Sequence, residues 1–452
     1  MPPLPRVAQV PLSLLPEEWD VVVVGAGPAG TTAAYHLAAA GRRVLLVERA
    51  AMPRDKTCGD GLLPDAQRAL ARQGLLAEVR ARAWIAPHGH AESPSGHRLT
   101  ADVELLLLPR RVLDTLLAAN AERAGAALGL GTIARVRDAG DEVELETRGG
   151  ARLRARYAVL ATGADLALAR GCLAEAPGRA AWVAFRGYYA GTAASDASGA
   201  RGVWPAEPLI VYDRALIPGY AWIFPLGASR FNVGVAVATD ATGARRVDDP
   251  SVPGATARPS GTSGADSGAS GLRGALRRFV ATHPAAAGLV PADPAQGEGR
   301  GANLRTGLRG AAPWNGNRIL LTGEMLGTTY PFTGEGIGKA METGERAAAA
   351  LLAAWHHPPE GARRALAAYG RGIREELAPR YAGYLLAERW LGRAWLNDAL
   401  LWLAQRRPGL RAAASGLMDE SVDAREVFTV PGIVRAALRP RPRPTSTRGC
   451  NG

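Results

Sequence analysis

Trp19-Asp20-Val21-Val22-Val23-Val24-Gly25-Ala26-Gly27-Pro28-Ala29-Gly30-Thr31 opens a stretch that runs on through a helical segment to Ala40, a stop at Gly41, a second apolar run from Val44 to Val47, and Glu48 with Arg49 behind it. Four consecutive β-branched residues suit a strand buried on both faces of a parallel sheet. The order is therefore strand, glycine turn, helix, strand, acid. Gly25 allows the tight turn, Gly27 lets backbone approach a pyrophosphate, and Gly30 lets the helix pack close on the strand. The helix N-terminus, opening at Pro28 and Ala29, adds N–H donors and the positive end of the dipole. Glu48 stands where a carboxylate accepts both ribose hydroxyls of an adenosine. Because it would repel a 2′-phosphate, the stretch favours FAD or NAD over NADP.

The chain has 452 residues, enough for two or three domains, and 47% of them are hydrophobic, enough for packed cores. Its three cysteines, Cys58, Cys172 and Cys450, are too few and too scattered for a disulfide framework or a zinc site, so no metal is expected and a reducing compartment fits. The proline-rich first eighteen residues lack the basic-then-apolar order of a signal peptide, and no apolar run is long enough to span a bilayer. A cytoplasmic protein is expected, peripheral at most on the inner face of the cell membrane. The formal net charge is +12, and from residue 361 onward 16 Arg stand against 8 Asp plus Glu. Such a surplus attracts anionic lipid or a diphosphate, or is simply a solvated basic face. No RRM, zinc-finger or KH signature accompanies it, so nucleic acid is not an expected partner.

Further along, Arg54-Asp55-Lys56-Thr57-Cys58-Gly59-Asp60-Gly61-Leu62 crowds small and chain-breaking residues into a loop that the second strand would return toward the cofactor. Arg110 opens a helix to about Arg123. Three short strands are expected near 132–137, 142–147 and 151–155, then a separate buried strand from Tyr157 into the turn Ala161-Thr162-Gly163. Residues 181–238 read as an antiparallel sheet in which Tyr220, Trp222 and Phe224 share one face of one strand. On periodicity alone that face is sheet core or a pocket wall, with core the commoner case. Residues 239–271 have almost nothing to bury and read as a mobile excursion, followed by a helix over 272–282. Gly323-Glu324 follows a strand, and Gly334-Glu335-Gly336-Ile337-Gly338 precedes a long helix to about Trp355, again suiting close approach of a ligand. The helical region 361–439 carries Tyr381, Tyr384, Trp390, Trp395 and Trp402 among leucines and arginines, the composition of an interfacial membrane helix or of an ordinary packed one.

Together these segments resemble the geranylgeranyl reductase family of flavoproteins, with its aromatic-hydroxylase-like FAD fold. The carriers are Gly25 to Gly30 with Glu48, the Arg54 to Leu62 loop, Arg110 with Asp114, Ala161-Thr162-Gly163, the Tyr220-x-Trp222-x-Phe224-Pro225 strand, and Pro331 to Gly338. The resemblance implies an α/β architecture: a Rossmann-like FAD-binding domain, an α+β second domain built on an antiparallel sheet, and a helical C-terminal region. Residues 19–82, 109–180 and 306–355 would form the first, 83–108 and 181–305 the second, 356–439 the third, with 440–452 a disordered tail. It implies FAD with its adenosine on Glu48, phosphates near Gly27, Ala29 and Arg110, and the isoalloxazine beneath Gly334 to Gly338. Cys58, Gly59, Ala161 to Gly163 and Gly323-Glu324 join the cofactor set. Tyr220, Trp222 and Phe224 become the lining of an apolar tunnel. The family usually carries Gly-Asp where this chain has Gly323-Glu324, so a local shift is expected there.

The implied chemistry is reduction of a C=C bond in a prenyl lipid or prenylated quinone by reduced FAD. Tyr220 and Trp222 would stabilise positive character on carbon, and Cys58, Glu335 or ordered water would donate the proton. No second nucleotide-binding unit is visible, so electrons would come from an external donor, NADPH or ferredoxin. Two rivals remain: a monooxygenase or halogenase of the same fold, and a membrane-docked electron-carrying flavoprotein.

Overall fold

The structure is a computed structural model describing residues 3–174, 178, 180–191, 204–227, 229–239, 266–293 and 298–439. The opening stretch forms β1 (Glu18–Val24), α1 (Pro28–Ala39) and β2 (Val44–Glu48). Val21, Val22 and Val23 are fully buried, each worth about 1.5–3 kcal/mol relative to exposure. Then come α2 (Pro64–Arg72) and α3 (Arg110–Arg123), and after them β3 (Arg152–Leu160). The first sheet runs Gln9–Pro11, Ala127–Leu130, β2, β1, β3, Val143–Thr147, Ile133–Asp138, with Ile319–Leu321 also on β3.

β3 corrects the expectation of two separate strands. Its first half alternates, with Leu153 and Ala155 inward, and pairs antiparallel with Val143–Thr147; its second half, Tyr157 to Leu160, is buried throughout and runs parallel to β1 and Ile319–Leu321. A single strand carries both the half-exposed and the doubly covered pattern.

The second sheet is built on β4 (Trp182–Gly191), β5 (Gly219–Pro225) and β6 (Arg230–Ala238). Its order is Leu289–Pro291, β4, β6, β5, Leu209–Val211, Gly89–Glu92, Arg98–Ala101, with Arg300–Leu304 on β4. The helix expected over 272–282 begins earlier and spans Asp266–Thr282. Most of the excursion expected over 239–271 lies outside the described residues, as does the tail 440–452.

α4 (Ile337–Ala354) packs on α1 and returns the chain to the first sheet. The C-terminal region adds α5 (Ala378–Leu391), α6 (Ala394–Arg406), α7 (Pro408–Met418) and α8 (Val430–Leu438). Buried tyrosine hydroxyls tie it down: Tyr369 donates to Leu321 O at 2.7 Å, Tyr381 to Thr328 O at 2.6 Å and Tyr384 to Leu417 O at 2.6 Å. α6 is held against the second sheet by Asp398, which accepts from Ser93 Oγ and Ser95 N at 2.7 Å each. The aromatic residues of this region thus divide. Tyr381 and Tyr384 are core, whereas Trp395 and Trp402 are exposed. No helix among the described residues is long and apolar enough to cross a membrane.

Candidate active site

Both sheets and the C-terminal helices enclose a cavity of about 790 Å³. At one end it is lined by Gly25, Gly27, Pro28, Ala29, Glu48 and Arg49. The three glycines of the first turn do different work. A side chain at Gly25 would overlap Ala161 O, and one at Gly30 would overlap Gly25 O, so the protein's own packing demands both. Gly27 has no such neighbour: the nearest atom to an added Cβ is Arg110 Nη2 at 3.9 Å. Its backbone is extended and open to any residue. The fold itself therefore does not demand a glycine at 27, and the space in front of it is open to a ligand. No side chain caps α1 there, so its N-terminal amides and dipole face the same space.

Charge is arranged around this mouth. Glu48 Oε2 accepts from Ala26 N at 3.2 Å and pairs with Arg54 Nη2 at 3.0 Å. Arg54 Nη1 reaches Asp114 at 2.8 Å, and Asp114 also holds Arg110 through Nε at 2.7 Å and Nη2 at 2.8 Å. Burial works against the Arg110 charge, but the Asp114 carboxylate more than offsets it and holds the guanidinium ionised. The Arg110 guanidinium, oriented by Asp114 in front of a bare helix N-terminus, fits the diphosphate of FAD.

Tyr220, Trp222 and Phe224 form the middle wall of the cavity, so the commoner reading of such a face as closed core does not hold. Their rings follow one another at 6.1 and 6.4 Å. Two glycines make the room. A Cβ at Gly234, opposite Trp222 on β6, would overlap the indole, and a Cβ at Gly334 would overlap the Tyr220 hydroxyl. A Cβ at Gly59 would come within 3.2 Å of the Phe224 ring, closer than an ordinary contact. The aromatic face therefore meets both the cysteine loop and the late glycine turn.

A buried polar network locks this wall. Trp222 Nε1 donates to Asn232 Oδ1 at 2.9 Å, and Asn232 Nδ2 donates to Cys58 O at 2.7 Å and to Asp60 Oδ2 at 2.8 Å. Tyr188 Oη donates to the same Asp60 oxygen at 2.8 Å, and Arg110 N to Asp60 Oδ1 at 3.1 Å. Loss of water pushes the Asp60 carboxyl up to about 6 despite Arg186 nearby and these donors. Burial also pushes the Cys58 thiol up, against the pull of Arg110, so Cys58 is a thiol and not a thiolate.

The late turns close the site. Gly323, Glu324, Gly334, Glu335, Gly336 and Ile337 line the cavity beside Ala161, Thr162 and Gly163. Glu324 is reached by Arg305 N at 3.3 Å, and burial raises its carboxyl, with Lys56 pulling the other way. α4, like α1, has no side-chain cap and opens at Gly336 into the cavity.

Of the candidate catalytic, cofactor-binding and substrate-binding residues named from sequence, all but two line this one cavity. Gly30 serves helix packing, and Gly338 lies against Asp65, where a Cβ would overlap the carboxylate. Sequence reasoning missed Asp60, Tyr188, Asn232 and Arg186, which lies 4.2 Å over the Tyr188 ring and donates to Asp55 at 2.6 Å.

The profile of a family described as an FAD binding domain matches residues 18–183. The menaquinone reductase of Mycolicibacterium smegmatis is 34% identical over 353 residues, 73% of this chain and 75% of that protein. Digeranylgeranylglycerophospholipid reductase 1 of Methanopyrus kandleri is 36% identical over 233 residues, 49% of this chain and 58% of that protein. Among solved structures, a geranylgeranyl bacteriochlorophyll reductase-like protein from Thermoplasma acidophilum shares the fold, with a TM-score of 0.68 at 19% identity, covering 93% of this chain and 96% of that one. With the open space at Gly27 and the aromatic wall of the cavity, these likenesses fix the assignment: the chain belongs to the geranylgeranyl reductase family of FAD-dependent oxidoreductases.

Proposed function

We propose that this oxidoreductase reduces an isolated C=C bond in the prenyl chain of a lipid or prenylated quinone. The observation that carries the reading is the far end of the cavity. From Leu391 onward all 11 lining residues, Leu401, Leu410, Met418 and Phe428 among them, are apolar. A polar substrate would lose its hydration there with no partner in return, whereas a hydrocarbon chain loses nothing. The names of the menaquinone and digeranylgeranylglycerophospholipid reductases supply the substrate class.

Glu48 is proposed to hold the ribose, Gly27, Ala29 and Arg110 the diphosphate, and the Gly334 to Ile337 turn the ring system. When bound and recharged by an external donor, NADPH or ferredoxin, reduced FAD supplies a hydride. The protein's own residues do the rest. The α4 N-terminus favours negative charge at its turn. The faces of Tyr220 and Trp222 stabilise positive character on carbon, which an unactivated alkene must acquire. Anaerobic incubation of the reduced holoenzyme with prenylated lipids and quinones tests the reading. Product heavier by two hydrogens per bond is expected. Turnover that appears only with oxygen would instead make the enzyme a monooxygenase or halogenase.

A membrane surface is the proposed source of substrate. Trp395 is 68% exposed, Val430 68% and Leu438 75%, with Trp402 and Val434 also open. They lie on α6 and α8, which contribute Leu400, Leu401, Ala404 and Ile433 to the apolar end of the cavity, in the part of the chain richest in arginine. Binding to anionic vesicles that weakens with salt and with Trp395→Ser is expected; no binding at low salt removes this step.

A further inference from the structure

Behind the late glycine turn lies a second cavity, of about 390 Å³, that the proposed chemistry does not use. It opens outward and is lined by Asp65, Lys339, Glu342, Arg380 and Glu420, with Arg68, Arg72 and Arg346 among its other walls. Between it and the substrate cavity stands Glu335, which is buried. Neither carboxyl oxygen of Glu335 has a hydrogen-bond partner, and Asp65 Oδ2 has only the Lys339 ammonium, at an ion-pair distance of 3.4 Å. The two carboxyl groups face each other within one cluster: ligand oxygens of Asp65, Glu335 and Glu420 lie within 4.8 Å of one another. Two orphaned acceptors so placed are both satisfied by one proton held between them. Burial and Asp65 together hold Glu335 well above the usual carboxylate range, with Lys339 opposing.

The surroundings argue against a metal here. Lys339 Nζ already occupies the cation position, at 2.6 Å from Glu420 Oε1, 3.0 Å from Glu342 and 3.4 Å from Asp65 Oδ2. Every element packed against the pair adds to the chain of groups. α2 supplies Asp65, whose other oxygen accepts from Ala66 N at 2.7 Å. α5 supplies Tyr381, Tyr384 and Arg380, the last 3.5 Å from Glu420 and 3.6 Å from Glu342. Tyr330 donates to Glu420 at 2.6 Å, and half-exposed Arg68 reaches its other oxygen at 3.6 Å.

We propose that Glu420, Asp65 and Glu335, steadied by Lys339, form a proton relay from solvent to the substrate cavity. The inference rests on the reduction reading, which consumes one proton per bond. As hydride from reduced FAD forms one C–H bond, the alkene π pair takes the Glu335 proton to form the other. Glu335 is left a carboxylate beside the Lys339 ammonium. A proton passed inward through Glu420 and Asp65 then restores the pair. Asp65 and Glu420 do not touch substrate; their role is supply and positioning.

Glu335→Gln is the decisive variant, because its amide still donates to Asp65 while carrying no transferable proton. FAD content should be unchanged. Infrared difference spectra between H2O and D2O should lose the stretch of a protonated buried carboxyl group. Anaerobic single-turnover reduction should slow by about tenfold or more, the low end for a lost general acid. Glu420→Gln, at the outward end, should slow it in the same direction and flatten the pH profile. Should Glu335→Gln not fold, Glu420→Gln and the wild-type infrared band decide the matter. A wild-type protein without that band overturns the relay. So does undiminished single turnover in both variants. Wild-type enzyme that reduces no prenyl substrate without oxygen instead sinks the proposed function, and the relay with it.

Discussion

Gly27→Ala separates what the fold needs from what the ligand needs. The added methyl meets nothing closer than Arg110 Nη2 at 3.9 Å, and the backbone there, at φ −85° and ψ −177°, is open to alanine. Alanine is a poorer N-cap than glycine by up to about 1 kcal/mol, and the unfolded chain loses entropy worth about 0.4–1 kcal/mol in the other direction. The apoprotein should therefore keep its stability to within about 1 kcal/mol. FAD meets a different situation, because the methyl stands where a diphosphate must approach the bare α1 amides. Charge-assisted hydrogen bonds contribute about 1.5–3 kcal/mol each, so lengthening two of them costs about 3 kcal/mol, roughly a hundredfold in Kd. Urea melts of the deflavinated protein and FAD titration by fluorescence quenching read the two quantities separately. An unchanged Kd would refute placement of the diphosphate at Gly27. An apoprotein that collapses would refute the claim that the fold itself does not demand a glycine there.

Asp60 should contribute to the acid dependence of stability, beside Glu324 and Glu335. The folded Asp60 value of about 6 lies above its ordinary 3.8, so the folded state holds this proton more tightly than the unfolded one. The stabilising contribution is full at low pH and is lost as pH climbs from about 4 to 6, about 3 kcal/mol in all; in urea melts Asp60→Asn should lose that share of the slope, and an undiminished slope in the variant would contradict the assignment. Gly234→Ala should displace the Trp222 indole and cost about 1–3 kcal/mol of overpacking, read as a lower melting temperature with altered tryptophan emission. Cys58, held as a thiol by burial, should react with iodoacetamide far more slowly than free cysteine at neutral pH; rapid alkylation of the FAD-loaded protein would show an ionised, open thiol instead.

The opening stretch was legible because its signals are local: four valines, three glycines and an acid follow in chain order within one βαβ unit. The aromatic strand was legible only in part. Period two tells which side chains share a face but not what stands across from it. Whether Tyr220, Trp222 and Phe224 close a core or wall a cavity is decided by Gly234, Gly334 and Gly59, which are scattered along the chain with no spacing to betray them. The same holds for the network beneath: Tyr188 and Asn232 meet Asp60 across 128 and 172 residues of sequence. β3 shows a milder failure, in which a change of periodicity within one strand reads as two strands.

One signal in the composition did point to both cavities without any spacing rule. Of 54 Lys plus Arg, only Lys56 and Lys339 are lysine. Lys56 lines the substrate cavity and Lys339 the outward one. On the surface an arginine serves as well as a lysine, so a chain that uses arginine almost everywhere has little reason to keep two lysines there. Inside, the difference is chemical. An ammonium is a compact charge with three donors, whereas a guanidinium is a planar fork suited to one bidentate partner. Lys339 has three separate carboxylate partners, Asp65, Glu342 and Glu420, an arrangement that a planar group of greater reach would not fill. The geometry thus accounts for a lysine at this position, and Lys339→Arg should unsettle the acid cluster even though it conserves the charge.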